Sequence, residues 1–207
     1  MTREWPWQHA LKRTIDYGSA AVGLTSGAPL LAALVLAIRW ESPGPAIFRQ
    51  VRIGRMGRPF VLYKFRSMAS GALPKFNPDG SMVVTSGDDR LTRIGRIIRG
   101  GIDELPQLVN ILKGEMSLVG PRPELAIHMA QYTSAQMRRL DVLPGITGLP
   151  AVLGRNNIPW PERLQLDTVY VDNWSLSLDL RIIAQTMLGP IFGQVFKFDD
   201  IISANSS

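Results

Sequence analysis

Asp103 and Glu104 stand side by side in Asp103-Glu104-Leu105-Pro106-Gln107-Leu108, and Arg122 follows, held between two prolines in Val119-Gly120-Pro121-Arg122-Pro123. A carboxylate at the start of a helix lies among amide N–H groups that lack helical partners, at the positive end of the helix dipole, which keeps it ionised. The same environment attracts a phosphate. Proline fixes its own φ and restrains the residue before it, so Arg122 sits on a stiff stretch of chain. A guanidinium presented in that way is suited to clasping phosphate oxygens through two parallel hydrogen bonds. Alone, Asp103 reads as an ordinary N-cap. With Arg122 nearby, the pair reads as a site for phosphoryl transfer.

The elements that must position these groups follow from pattern. Asp103 opens a helix expected to run to about Lys113, with Pro106 tolerated in the first turn and Gly114 as its stop. Upstream, Ala46 to Arg52 and Phe60 to Phe65 read as strands around a turn at Ile53 to Pro59, a β-hairpin. The hairpin delivers Lys64 and Arg66 at its exit, as candidate phosphate ligands or as solvated strand-end charges. Residues 69 to 88, rich in Gly, Pro, Ser and Asn, are expected to form a mobile surface loop. Arg90 to Arg99 is expected to be a short amphipathic helix whose four arginines suit a phosphate-rich surface or a membrane face. Gly100-Gly101 ends it. A further helix is expected over Glu124 to Leu140, then a turn-rich loop at Pro144 to Pro150 leading to Arg155 and Asn156. Those two residues, with Asp167, could serve either substrate or structure. Asp167 and Asp179 each lie among apolar neighbours, where a carboxylate needs a cationic or hydrogen-bonding partner, so a structural pair is expected for both.

Composition narrows the chemistry. The 207 residues include no cysteine, which excludes disulfides, thiolate metal sites and a cysteine nucleophile. With only His9 and His128, an all-protein zinc site or a Ser-His-Asp triad has few candidates. The net charge of +6 favours an anionic partner: nucleic acid, acidic lipid or a phosphorylated substrate. From Tyr17 to Ile38 there is no charged residue, a run of membrane-spanning length. It is long for a signal peptide, and no small-residue cleavage site follows it. Pro29 interrupts the run, and both flanks are basic: Lys12 and Arg13 before it, then Arg39, Arg49, Arg52, Arg55 and Arg58. Positive charge on both sides argues that both ends stay cytoplasmic. A helix that enters, breaks at Pro29 and returns on one side satisfies both observations; a kinked single-pass helix stays open on pattern alone. Arg181 to Phe198 is apolar, as an interfacial helix or core packing would be.

Six stretches in order carry a family resemblance over most of the chain. They are Gly44-Pro45-Ala46-Ile47-Phe48-Arg49-Gln50, Lys64-Phe65-Arg66-Ser67-Met68, Asp103-Glu104-Leu105-Pro106-Gln107-Leu108, Val119-Gly120-Pro121-Arg122-Pro123, Pro144-Gly145-Ile146-Thr147-Gly148 and Leu166-Asp167-Thr168-Val169-Tyr170. The chain thereby resembles the small monotopic phosphoglycosyl transferases among the bacterial sugar transferases. The resemblance implies an α+β, mostly helical monotopic membrane protein. Residues 1–40 would form a re-entrant helix broken at Pro29. Residues 41–207 would form a catalytic domain with a small β-hairpin and interfacial amphipathic helices, on the cytoplasmic face of the bacterial inner membrane. It also implies transfer of a phosphosugar from a UDP-sugar to a polyprenol phosphate such as undecaprenyl phosphate, to begin glycoconjugate assembly. Asp103 would be the nucleophile that forms an aspartyl phosphosugar with release of UMP. Glu104 would be its partner, and Mg²⁺ the metal, with Asp103 and Glu104 as its ligands. No nucleic-acid partner is implied, and an oligomer is compatible. With no further span before Lys12, the expectation is the minimal catalytic form.

The chain also departs from the family pattern. Ala28 replaces the Ser common before the breaking proline, leaving Ser26 or Thr25 to satisfy the freed carbonyls. The approach Arg99-Gly100-Gly101-Ile102-Asp103 is one residue short, Leu143 stands where a basic residue is common, and Pro150-Ala151-Val152 replaces a Gln before Val. The competing reading is a non-enzymatic basic membrane-surface protein that binds anionic lipid or nucleic acid. It accounts for the charge and the anchor, but not for two carboxylates beside an arginine clamp.

Overall fold

Helix α1 (Pro6–Glu41) is the longest element of the computed structural model, which describes residues 6–77, 83, 87–154 and 158–193. Its 36 residues extend about 54 Å at the usual helical rise. It is long and apolar enough to cross a membrane, with a mean hydropathy of 2.1 over its most apolar window. Val22, Leu30, Leu36 and Trp40 are exposed along it, apolar surface compatible with membrane association. The helix continues on both sides of Pro29. The Thr25 and Ser26 hydroxyls donate to Ala21 O at 2.8 Å and Val22 O at 2.7 Å. They do not stand in for the amide missing at Pro29, whose helical acceptor would be Thr25 O, because each hydroxyl reaches back one turn along its own helix.

The basic residues before the apolar run also differ from expectation. Lys12 donates to Val119 O and pairs with Asp179, and Arg13 donates to Asp16 and to Met116 O. Both are turned inward, onto the body of the protein.

The predicted hairpin forms. β1 (Ile47–Ile53) pairs antiparallel with β2 (Pro59–Phe65), with Ile47 opposite Phe65 and Ile53 opposite Pro59. The turn between them places Met56 and Gly57 at positive φ. On β2, Phe60 and Leu62 face inward and join Ala20 of α1 with Leu108, Ile111 and Met116. A second cluster gathers Ile38 of α1 with Ala46, Phe65 and Ile98. α1 therefore packs against the rest of the protein on both sides of Pro29. A third cluster contains Val119, Leu149, Tyr170, Trp174, Leu178 and Ile182.

A second, parallel pair unites β3 (Ser117–Val119) with β4 (Gly145–Thr147), where the sequence was expected to make only a loop. Glycine permits the approach: a Cβ on Gly145 would lie 2.1 Å from Gly120 N, and one on Gly120 would lie 2.4 Å from Leu143 O.

Several helices are shorter than periodicity predicts. α2 (Arg93–Ile98) starts at Thr92, whose hydroxyl accepts from Gly95 N, and Glu41 of α1 accepts from Arg93 N and Ile94 N. Arg90 instead folds back onto Asp88. The expected helix after Asp103 is a 3₁₀ segment (Ile102–Gln107) followed by α3 (Leu108–Leu112). The stretch from Glu124 to Leu140 divides into a 3₁₀ turn (Ala126–Gln131), α4 (Ser134–Met137) and a second 3₁₀ turn (Arg138–Leu140), because Thr133 and Gln136 form a capping box that starts a new helix. α5 (Leu149–Leu153), α6 (Trp160–Asp172) and α7 (Leu176–Phe192) complete the described chain. α7 buries Leu178 and Ile182 in the third cluster while Leu180, Met187 and Phe192 stay exposed.

Candidate active site

Asp103 lies in the 3₁₀ segment and is buried. Its Oδ1 accepts from Gly100 N at 3.1 Å and from Gly101 N at 3.4 Å. The carboxylate thus turns back to the amides before it and does not cap the helix after it, which corrects the N-cap expectation. Gly100 has φ of 96°, a conformation glycine adopts freely. The shortened Gly100-Gly101 approach is therefore what grips the carboxylate.

The end of strand β2 brings Lys64 to the other oxygen, with Nζ 3.5 Å from Asp103 Oδ2. Burial pushes Lys64 below the usual lysine range; the Asp103 charge opposes this, and the Arg122 charge adds to it. Glu104 Oε1 accepts from Arg122 Nη2 at 2.8 Å. The Glu104 charge raises the Arg122 guanidinium above its ordinary value, so it stays a cation. The Arg122 side chain is 60% exposed while that of Asp103 is 4% exposed, so the arginine lies at the mouth and the carboxylate at the floor.

The Arg122 loop is fastened from several elements. Gly145 N donates to Pro121 O at 2.9 Å, Arg139 Nη2 to Arg122 O at 2.7 Å, Arg52 Nη1 to Pro123 O at 3.1 Å and Ile53 N to Glu124 O at 2.9 Å. Neither Arg52 nor Arg139 was assigned to the site from the sequence. Arg52 was visible there as one of the basic residues after the apolar run, and Arg139 only as part of the helix expected over Glu124 to Leu140. Glu124 joins this support: burial opposes its ionisation, but the His128 hydrogen bond and the charges of Arg139, Arg52 and Arg122 hold it below the ordinary value.

Two assigned residues act elsewhere. Arg66, a candidate phosphate ligand from the sequence, is buried and engaged by the protein itself: Nη1 donates to Pro43 O and Ser70 Oγ, and Nη2 to Ile38 O, Ser42 O and Ser42 Oγ. It lies past the end of β2, where it caps carbonyls at the C-terminal end of α1. Asp167 takes the structural alternative. It pairs with Arg139 at 2.6 Å, and burial pushes its carboxyl up to about 6 against the pull of that arginine. Asp179 likewise has its cationic partner in Lys12. Arg155 and Asn156 lie outside the described residues.

Among the described residues no three His, Cys, Asp or Glu side chains converge as a metal cage. Mg²⁺ commonly takes one or two carboxylates and completes its shell with water and substrate phosphates; Asp103 and Glu104 are donors of that type, and here they face the cations of Lys64 and Arg122.

A hairpin-borne lysine, a gripped carboxylate and an exposed arginine thus meet in a chain that also carries one helix long and apolar enough to cross a membrane. The bacterial sugar transferase family model matches residues 7–193, and the chain belongs to that family and is a transferase. The rival reading as a non-enzymatic lipid- or nucleic-acid-binding protein is thereby set aside. The chain is similar to the uncharacterized sugar transferase EpsL of Bacillus subtilis strain 168, at 45% identity over 180 residues, 86% of this chain and 85% of that protein. It is also 45% identical over 188 residues to the UDP-glucose:undecaprenyl-phosphate glucose-1-phosphate transferase of Caulobacter vibrioides, covering 85% of this chain and 68% of the relative. The galactosyl transferase CpsE of Streptococcus agalactiae serotype III is 44% identical over 191 residues, but only 42% of its length is covered.

Proposed function

We propose that this transferase moves a phosphosugar from a UDP-sugar to a polyprenol phosphate, undecaprenyl phosphate being the acceptor named for the Caulobacter relative. The observation that carries the reading is the unequal treatment of the two Asp103 oxygens. Oδ1 is tied to two amides, and Oδ2 stands at ion-pair distance from the Lys64 ammonium.

In the first step Asp103 Oδ2 attacks the β-phosphorus of the UDP-sugar. The bond from that phosphorus to the bridging oxygen breaks, UMP leaves, and the phosphosugar remains on Asp103 as an acyl phosphate. In the second step a phosphate oxygen of the polyprenol phosphate attacks the same phosphorus and frees the carboxylate. A carboxylate serves as nucleophile in such reactions without a general base. The barrier lies mainly in charge on the phosphoryl oxygens. Lys64 offsets charge at the floor of the site, and Arg122 clasps the outer phosphate oxygens from the mouth, its orientation set by Glu104. Asp103 and Glu104 would hold Mg²⁺, which when bound neutralises diphosphate charge.

The membrane arrangement belongs to the same proposal. Ala20 and Ile38 bracket Pro29 and are both buried against the catalytic body, which favours a helix whose two ends stay on one face, the cytoplasmic face of the inner membrane. A polyprenol phosphate carries its phosphate at headgroup level, within reach of a site on that face.

The reading is tested by measuring UMP release from UDP-glucose, UDP-galactose and UDP-N-acetylgalactosamine with the protein in undecaprenyl-phosphate-containing vesicles. At least one donor should yield UMP, and Asp103→Asn should reduce release to background. Unchanged release by that variant would rule out Asp103 as nucleophile.

A further inference from the structure

Lys12, Arg13 and Asp16 are the last charged residues before the apolar run of α1, where charge ordinarily meets lipid headgroups. Here Lys12 and Asp16 are withdrawn from that surface: the Lys12 side chain is 14% exposed and that of Asp16 is 2% exposed. Their bonds converge on one short segment. Arg13 donates to Met116 O at 3.0 Å and to Asp16 Oδ2 at 3.0 Å. Asp16 Oδ1 accepts from Ser117 Oγ at 3.0 Å and Leu118 N at 2.9 Å. Lys12 donates to Val119 O at 3.0 Å, and its other partner, Asp179, is held by Tyr170 OH at 2.7 Å and Trp174 Nε1 at 3.2 Å. Four successive residues, 116 to 119, are thus bound by one turn of the membrane helix.

That segment is β3, whose far edge pairs with β4, and Arg122 follows three residues after its end. Pro121 and Pro123 leave little slack between them. A shift in β3 is therefore passed on to the guanidinium opposite Glu104.

We propose that Lys12 and Asp16 are positioning residues for Arg122: the first turns of the membrane helix set the placement of β3 and so aim the clamp. The proposal rests on the reading of Arg122 as the phosphate clamp. Membrane attachment and catalytic geometry then share one helix, and these charges serve the site, not the headgroups.

The test is a double-mutant cycle on the full-length protein in vesicles, reading UMP release from UDP-glucose or whichever donor of the panel the wild type uses. Lys12→Met should raise KM for the donor and lower kcat/KM by about 10- to 100-fold, the scale of a misplacement near 1 Å. Its flotation with vesicles should match the wild type. In an Arg122→Lys background the same substitution should cost less than about 3-fold, because coupled residues do not add. If Lys12→Met leaves an uncompensated buried Asp179 and fails to fold, Lys12→Met/Asp179→Asn removes both charges and still loses the bond to Val119 O. An effect equal in both backgrounds, a fall in kcat with KM unchanged, or no effect would overturn the positioning role. If Arg122→Lys itself is without effect, the clamp reading falls, and the role of Lys12 and Asp16 falls with it.

Discussion

Lys64 Nζ lies 3.5 Å from Asp103 Oδ2, a distance that joins the end of β2 to the turn bearing the carboxylate pair. The two groups come from segments nearly forty positions apart in the chain, yet a partly buried ammonium meets a buried carboxylate, where a charge interaction is screened less than in water. Lys64 thus has two settings to reconcile, a buried ammonium that would favour deprotonation and a carboxylate that holds the proton on.

Its shift gives a pH dependence. Burial lowers Lys64 from the ordinary lysine value, so its charge is lost as pH rises through that lowered value. UMP release should fall on an alkaline limb below the usual lysine range. Lys64→Arg, whose guanidinium stays charged, should move that limb to higher pH. An identical limb in both proteins would remove Lys64 from the charge balance of the site.

Arg66, two positions further on, should behave differently. Arg66→Met removes bonds to Ile38 O, Ser42 O and Pro43 O, and should lower stability by about 3 kcal/mol. The folded fraction should retain its KM for the UDP-sugar. Thermal unfolding and steady-state kinetics on one preparation separate these effects; a raised KM at unchanged stability would restore Arg66 to the phosphate site.

The Arg139–Asp167 pair should be strongly asymmetric under substitution. Asp167→Leu leaves a buried guanidinium unpaired and should destabilise by roughly 3–5 kcal/mol, whereas Arg139→Met/Asp167→Leu should recover much of that loss. The double variant still loses the bond from Arg139 to Arg122 O, so stability should recover further than kcat/KM. Parallel recovery of both would show that the bond to the loop is dispensable.

Gly145→Ala places a methyl about where Gly120 N lies, 2.1 Å away, and neither side of that contact is a flexible side chain. The β3–β4 pair must part. A loss of about 1–3 kcal/mol is expected, with reduced activity, because the loop carrying Arg122 begins there. Wild-type stability and activity in this variant would show that the close approach is unnecessary.

The sequence made some of this legible and hid the rest for identifiable reasons. The hairpin was readable because alternation and a Gly-rich turn lie within one local stretch, and the pairing of Ile47 with Phe65 needs nothing from elsewhere. The grouping of Asp103, Glu104 and Arg122 was anticipated because adjacent carboxylates and a proline-bounded arginine are local signals. β3 and β4 were not, since three-residue strands paired across residues 117 to 147 carry no periodicity. Lys64 and Arg66 looked equivalent because sequence shows a charge and not its acceptor. Lys12 and Arg13 were read as membrane flanks for the same reason: their partners, Asp179 and Met116 O, are more than a hundred residues away. Helix lengths over 124–140 were overestimated because Thr133 and Gln136 were counted as helix interior when they begin a new one.

The central claim is that Asp103 carries the phosphosugar between donor and acceptor, and intact-mass measurement tests it most directly. Protein incubated with the donor sugar nucleotide and Mg²⁺, without polyprenol phosphate, should gain the mass of one phosphosugar, with the added group mapping to the peptide containing Asp103. It should release a matching amount of UMP, lose the added mass when undecaprenyl phosphate is supplied, and show no adduct as Asp103→Asn. Full turnover with acceptor, combined with no adduct and no UMP in its absence, would contradict a covalent intermediate and require direct transfer between the two substrates.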